Sequence, residues 1–149
     1  MFLLDTNVVS DLRKVKSGNV DPDFREWASN LQIHQAYISV MTIFEIEMGI
    51  AKKERKDAVQ GAILRDWFEN KVKPTFKDRV LPITSEISTC AANLHVPDPK
   101  SDRDAFIAAT GLEHGLIVVT RNIDDFINMQ VGLFNPYTGF GRKYIRTLD

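Results

Sequence analysis

The apolar positions of this chain fall into short continuous runs, separated by stretches in which they recur every three or four residues. Phe2-Leu3-Leu4 is the first run, and its lack of alternation predicts a strand buried on both faces of a parallel sheet. Asp5 follows at its carboxyl end. Asp21-Pro22-Asp23, then Phe24, Trp27, Ala28 and Leu31 at i, i+3, i+4 and i+7, predict a capped helix with proline in its first turn. Ala36 to Val40 is a second β-rich run, and Thr42 to Ile50 returns to helical spacing through Ile43, Ile46 and Ile50.

A lysine-rich stretch, Lys52 to Lys56, leads into Val59, Ile63, Trp67 and Val72, an amphipathic helix that Pro74 helps to close. Val80 to Ile83 predicts a strand that Pro82 confines to an edge or an end of its sheet. Thr84 is placed to cap a helix from Ser85 to about His95. Val96 to Ser101 contains two prolines and must be a loop, after which Asp102 is placed to cap a helix from Arg103 to His114 that Gly115 ends. Leu116 to Val119 is the clearest buried strand. Strands alternating with helices predict an α/β fold: one domain over residues 1–149, with a mostly parallel central sheet flanked by helices. The tail from about Gly139 to Asp149 is polar and basic apart from Phe140, Tyr144, Ile145 and Leu148, and is expected to be loosely ordered or part of an interface.

Composition narrows the function classes. A chain of 149 residues buries about 70% of its unfolded surface, so a core needs neither disulfides nor structural metal. Lys plus Arg total 19 against 20 for Asp plus Glu, a net charge of −1. No global field draws in a polyanion, and nucleic-acid contacts must come from local patches. The lone Cys90 cannot form an intramolecular disulfide, and its small, apolar sequence neighbours predict a packed, inert thiol. No basic segment precedes the short apolar start, and no apolar run approaches the roughly 20 residues that cross a bilayer. A reducing cytoplasm without membrane contact is the expected setting.

In open parallel sheets, ligands bind outside the carboxyl ends of the strands. The predicted topology sends Asp5, Glu45, Asp104 and the pair Asn122 and Asp125 to that edge. Clustered carboxylates repel, and burying them raises at least one pKa, so such a group normally holds a hard cation. With oxygen ligands only, Mg²⁺ is expected, or Mn²⁺. Such a metal suits phosphoryl chemistry. Candidate phosphate contacts are Arg13, Lys14 and Lys16, then Lys52, Lys53, Arg55 and Lys56, although lysines on helices are usually a solvated face and that reading is favoured for each cluster. Arg121, beside the acids, is a candidate two-point phosphate clamp. His34, His95 and His114 sit at or near predicted helix ends, where dipole contacts explain them. Trp67 and Phe68 are adjacent on a helix and cannot share one core stripe, so one of them is a candidate for an interface.

Leu3 to Ser10, with Asp5-Thr6-Asn7 at its centre, resembles the opening motif of the PIN-domain nucleases, and Ser39 to Gly49 resembles their second. Asp104 to Thr110 and Val119 to Phe126 resemble the third and fourth, in order. Asn135-Pro136-Tyr137 is similar to the ending of a subgroup of VapC-type toxins of bacterial toxin–antitoxin pairs. The resemblance implies a Mg²⁺-dependent endoribonuclease that hydrolyses phosphodiester bonds in RNA of the translation machinery, as a homodimer silenced by a cognate antitoxin. It implies Asp5 and Asp104 as the principal metal ligands, Glu45 as completing the catalytic cluster, and Thr6, Asn7 and Thr42 as groups that orient the carboxylates. Many family members carry an acid where Asn122 stands. An asparagine brings no charge, so one firmly held Mg²⁺ is expected, with Asp125 available to compensate.

Two rival readings are weaker. A haloacid-dehalogenase-like phosphatase would use Asp5 as nucleophile, but it needs a second aspartate where this chain has Asn7. A catalytically silent PIN-like module that binds RNA or a partner is opposed by the intact Asp5, Glu45 and Asp104.

Overall fold

In the structure, a computed structural model that describes residues 1–137 and 145–146, the first apolar run becomes β1 (Phe2–Leu4), followed by α1 (Thr6–Leu12) and α2 (Pro22–Asn30). Then come β2 (Ala36–Ser39), α3 (Val40–Lys56), α4 (Ala58–Trp67), a π turn (Phe68–Val72), α5 (Lys73–Thr75) and β3 (Val80–Leu81). The remainder is α6 (Ser85–Asn93), α7 (Asp102–His114), β4 (Ile117–Val119), β5 (Leu133–Phe134) and β6 (Ile145–Arg146). The sheet order is β3-β2-β1-β4-β5-β6. The pairings from β3 to β5 are parallel, and β6 runs antiparallel to β5.

β1 lies between β2 and β4, with Leu3 opposite Tyr37 on one side and Val118 on the other. Leu4 and Val119 pack into one layer with Val8, Phe24, Ile46 and Phe68. Leu3 and Val118 face the opposite layer, with Ile107, Ala108 and Leu133. Both faces are covered, which is why neither strand alternates with polar residues. β3 stands at the edge, as Pro82 requires.

Several boundaries differ from expectation for physical reasons. The residue that caps α7 is Ser101, whose backbone is extended and whose hydroxyl accepts from the Asp104 amide at 3.4 Å; Asp102 is already the first helical residue. The helix after Ser39 does not stop at Ile50 but runs to Lys56, so Lys53, Arg55 and Lys56 form its last turn and complement its negative end. Pro74 does not close the next helical stretch at once, because the π turn precedes it and α5 continues to Thr75. Helix α6 ends at Asn93, short of His95, whose Nδ1 accepts from the Lys100 amide at 2.9 Å. Of the tail from Gly139, the structure describes Ile145 and Arg146; the rest lies outside the described residues.

Phe68 is fully buried, whereas Trp67 is half-buried at its margin beneath the Arg13 guanidinium, 5.9 Å from the ring centre. Cys90 packs against the Ile87, Ala91, Ala105 and Ala109 cluster, and burial pushes its thiol pKa up, keeping it protonated and unreactive. Among the described residues, no helix is long and apolar enough to cross a membrane.

Candidate active site at the carboxyl edge of the sheet

Three strand ends deliver this site. Asp5 follows β1, α3 begins directly after β2, and Thr120 follows β4. The first turn of α7 reaches the same edge, because a helix that precedes a parallel strand runs opposite to it. Asp5 also caps α1: its extended backbone lets Oδ1 accept from the Thr6 amide at 2.8 Å. Its other oxygen accepts from the Thr120 hydroxyl at 2.8 Å and the Asn7 side-chain amide at 3.0 Å. With only 6% of its surface exposed, this carboxylate is fixed in position on both oxygens.

Glu45 is held from two sides. The Thr6 hydroxyl donates to its Oε1 at 2.6 Å, and Arg103 Nη1 stands 3.5 Å from Oε2. Thr42, fully buried, places its hydroxyl 3.2 Å from that of Thr6. Thr6 therefore touches both acids, Asp5 through its amide and Glu45 through its hydroxyl.

The electrostatics bind these acids into one group. Burial raises the Asp5 pKa, opposed by the Thr120 and Thr6 hydrogen bonds and reinforced by the charge of Glu45. Burial, then the charges of Asp5, Asp125 and Glu45, push Asp104 up to about 6. The four carboxylates thus share a field with excess negative charge at one edge of the sheet. Oxygen-only donors and uncompensated charge fit a hard divalent cation. Among the described residues, no group of three or more His, Cys, Asp or Glu side chains is arranged to hold a metal ion.

The model of the PIN domain matches residues 2–131 of the chain. The chain belongs to the PIN-domain family. It is 30% identical over 146 residues to the toxin FitB of Neisseria gonorrhoeae, covering 92% of this chain and 99% of that protein. It is likewise 30% identical over 142 residues to the VapC ribonuclease Y4jK of Sinorhizobium fredii, covering 92% and 98%. Among solved structures, FitAcB from Neisseria gonorrhoeae superposes with a TM-score of 0.81 at 28% identity, over 91% of this chain and 98% of that one.

The remaining residues singled out in this PIN domain occupy distinct places. Asn7 is a bridge, its amide donating to Asp5 and its Oδ1 accepting from the Arg121 backbone at 3.2 Å. Asn122 is exposed and meets the network through its backbone amide, which donates to the Thr120 hydroxyl at 3.0 Å. Arg121 turns its guanidinium to Asp11 at 3.5 Å and to the face of Tyr137 at 5.5 Å. Lys14 also pairs with Asp11, at 3.8 Å. Thr120 and Arg103 are site residues that sequence reasoning did not single out. Thr120 stood inside the fourth motif, and its polar side chain at the end of an apolar strand was the available signal. Arg103 gave none, since its link to Glu45 exists only across the fold.

Proposed function

We propose that this chain is a divalent-metal-dependent endoribonuclease that hydrolyses phosphodiester bonds in RNA, acting as the toxin of a toxin–antitoxin pair. The observation that carries the reading is the gathering of Asp5, Glu45, Asp104 and Asp125 at the carboxyl edge of a parallel sheet, where burial first and then the charges of the other three push Asp104 up to about 6. Similarity to proteins named toxin FitB and VapC ribonuclease supports both halves of it.

In this reading Asp5 and Asp104 hold Mg²⁺, with Mn²⁺ as a substitute, and Glu45 completes the catalytic cluster. When bound, the metal supplies a lowered pKa for a coordinated water and charge neutralisation at the scissile phosphate. The chain's own residues supply order. The Thr6 amide, the Asn7 amide and the Thr120 hydroxyl fix both oxygens of Asp5, so ligation needs no reorganisation there. Thr6 and Arg103 set Glu45. Asn122 adds no charge, so one firmly held ion is the resting complement, with Asp125, whose charge reaches Asp104, available for a second. The substrate class is RNA of the translation machinery, and the partner is a cognate antitoxin that silences a homodimer. A solved structure of FitAB bound to an IR36 DNA fragment, 26% identical to this chain with a TM-score of 0.77, supports partnership in such a complex.

The test is incubation of the purified chain with structured RNA and with a generic phosphomonoester, with and without Mg²⁺. Cleavage of RNA alone, in metal alone, is expected, and Asp5→Asn should lower it by at least about a hundredfold, in line with removing a charged ligand. The reading fails if RNA survives intact in Mg²⁺ or Mn²⁺, or if Asp5→Asn cleaves as fast as the parent.

A further inference from the structure

Next to Glu45 on α3 stands Phe44, a large aromatic with 53% of its surface exposed. Next to Asp104 on α7 stands Arg103, whose guanidinium carbon lies 5.9 Å from the centre of the Phe44 ring. The same guanidinium reaches Glu45 at 3.5 Å, with 46% of the Arg103 side chain still exposed. Two chemistry-bearing acids therefore each have a neighbour in sequence that projects outward, and the two neighbours meet in space.

Phe44 presents an aromatic ring to solvent beside the acidic cluster, held against a guanidinium, and such a pair offers a flat surface that a further π system can cover. The cluster also has an electrostatic problem. Its acids repel phosphate, and the whole-molecule charge of −1 does not counter them. Arg121 and Arg103 each make one ion pair at 3.5 Å and one ring contact, but the partner of Arg121 is Asp11, outside the acidic cluster, whereas that of Arg103 is Glu45, within it. Among the described residues, the ion pair that reaches the acidic cluster is the one made by Arg103.

We propose that Phe44 and Arg103 form a platform for single-stranded RNA at the mouth of the site: a nucleobase stacks on the Phe44–Arg103 pair, and the guanidinium contacts an adjoining phosphate. The chemistry matches. Every base has a π face that an aromatic ring accepts without regard to sequence, and a guanidinium edge takes a phosphate while its plane stacks. Seating the base beside Glu45 and Asp104 brings the flanking backbone to the acids and selects unpaired RNA over duplex, whose bases are already stacked. The proposal rests on the nuclease reading above and deepens it to two substrate-positioning residues.

The experiment measures binding of a fluorescein-labelled, unstructured RNA dodecamer to the full chain carrying Asp5→Asn, in Mg²⁺, by anisotropy. Phe44→Ala and Phe44→Leu should each weaken binding by about tenfold, while Phe44→Trp stays within about twofold, as stacking requires. Arg103→Ala should weaken binding and flatten the dependence of log K on log salt by about 0.7, the loss of one phosphate on a single strand. In the chain with Asp5 intact, the Phe44→Ala defect should fall on KM rather than kcat. Full affinity in Phe44→Ala overturns the proposal. So does full affinity in Phe44→Leu, which would mean generic apolar contact. Conversion of an oligomer to a monomer by Phe44→Ala, seen by light scattering, also overturns it by making the ring a subunit contact. Failure of the nuclease reading shows separately, as absence of cleavage by the parent chain.

Discussion

Asp5 joins two roles in one side chain. Its Oδ1 caps α1 and its Oδ2 gathers Thr120 and Asn7. The sequence makes the acid conspicuous at the end of an apolar run but hides the cap, because the metal-ligand reading already accounts for the residue. Asp104 allows a sharper residue-scale test. Its folded pKa of about 6 lies above its ordinary 3.8. A raised carboxyl favours the folded state while protonated, and that contribution disappears as pH rises through the folded value. The metal-free chain at neutral pH therefore carries a penalty that Asp104→Asn removes. After allowance for solvent screening this is about 1–2 kcal/mol, or about 2–6 °C in Tm. In EDTA at about pH 7, Asp104→Asn should melt above the parent, and the gap should close as pH is lowered towards about 4. Mg²⁺ should raise the parent's Tm and leave the variant's largely unmoved, since a cation that binds only the folded state stabilises it. A gap that is absent or widens on acidification would refute the raised Asp104 pKa.

At the scale of elements, β1, α2, α6 and β4 were legible because an unbroken apolar run or a capping residue marks each of them. Others were not, for the opposite reason. α1 is seven residues long and β5 two, so neither offers enough periods for a pattern. The α3–α4 hairpin shows how tertiary contact overrides local preference. Gly49 lies within α3 and Gly61 within α4, and propensity alone treats them alike, each costing about 1 kcal/mol relative to alanine. A Cβ on Gly49 meets nothing within 4 Å, whereas one on Gly61 would stand 2.5 Å from Glu54 Cα and 2.8 Å from its backbone nitrogen. Backbone cannot swing aside as a side chain can. Gly49→Ala should therefore raise Tm by about 2–4 °C. Gly61→Ala should lower it, because overpacking costs about 1–3 kcal/mol and exceeds the propensity gain. Thermal melts of the two variants decide the matter, and a stabilising Gly61→Ala would mean that the hairpin is looser than the structure shows.

At the scale of the whole molecule, alternating strands and helices were enough to predict the layers, yet not the order that puts β1 between β2 and β4 and carries the chain on to β5. That order is closed by contacts between residues far apart in the chain. Tyr137 stacks on Phe24 of α2, ring centres 4.6 Å apart, and its hydroxyl donates to Asp11 of α1 at 2.8 Å. Asn135, 1% exposed, accepts from the Tyr137 amide at 2.9 Å and sets the turn that aims the ring inward. The Asn-Pro-Tyr ending thus acts as a latch from the last parallel strand to the first two helices. Asp11 also holds Arg121, which follows β4, so one buried hydroxyl organises a carboxylate shared by three segments. Tyr137→Phe keeps the stack and removes the donor to the charged Asp11. The cost of such a loss is about 1–2 kcal/mol, because a partly buried carboxylate then gives up a partner that water replaces poorly. Tm should fall by about 3–6 °C. The loss should shrink in a background carrying Asp11→Asn, where the acceptor has lost its charge and the two changes act on one interaction. Equal losses in both backgrounds would show that the hydroxyl acts independently of the Asp11 charge, and no loss in either that the latch is the ring alone.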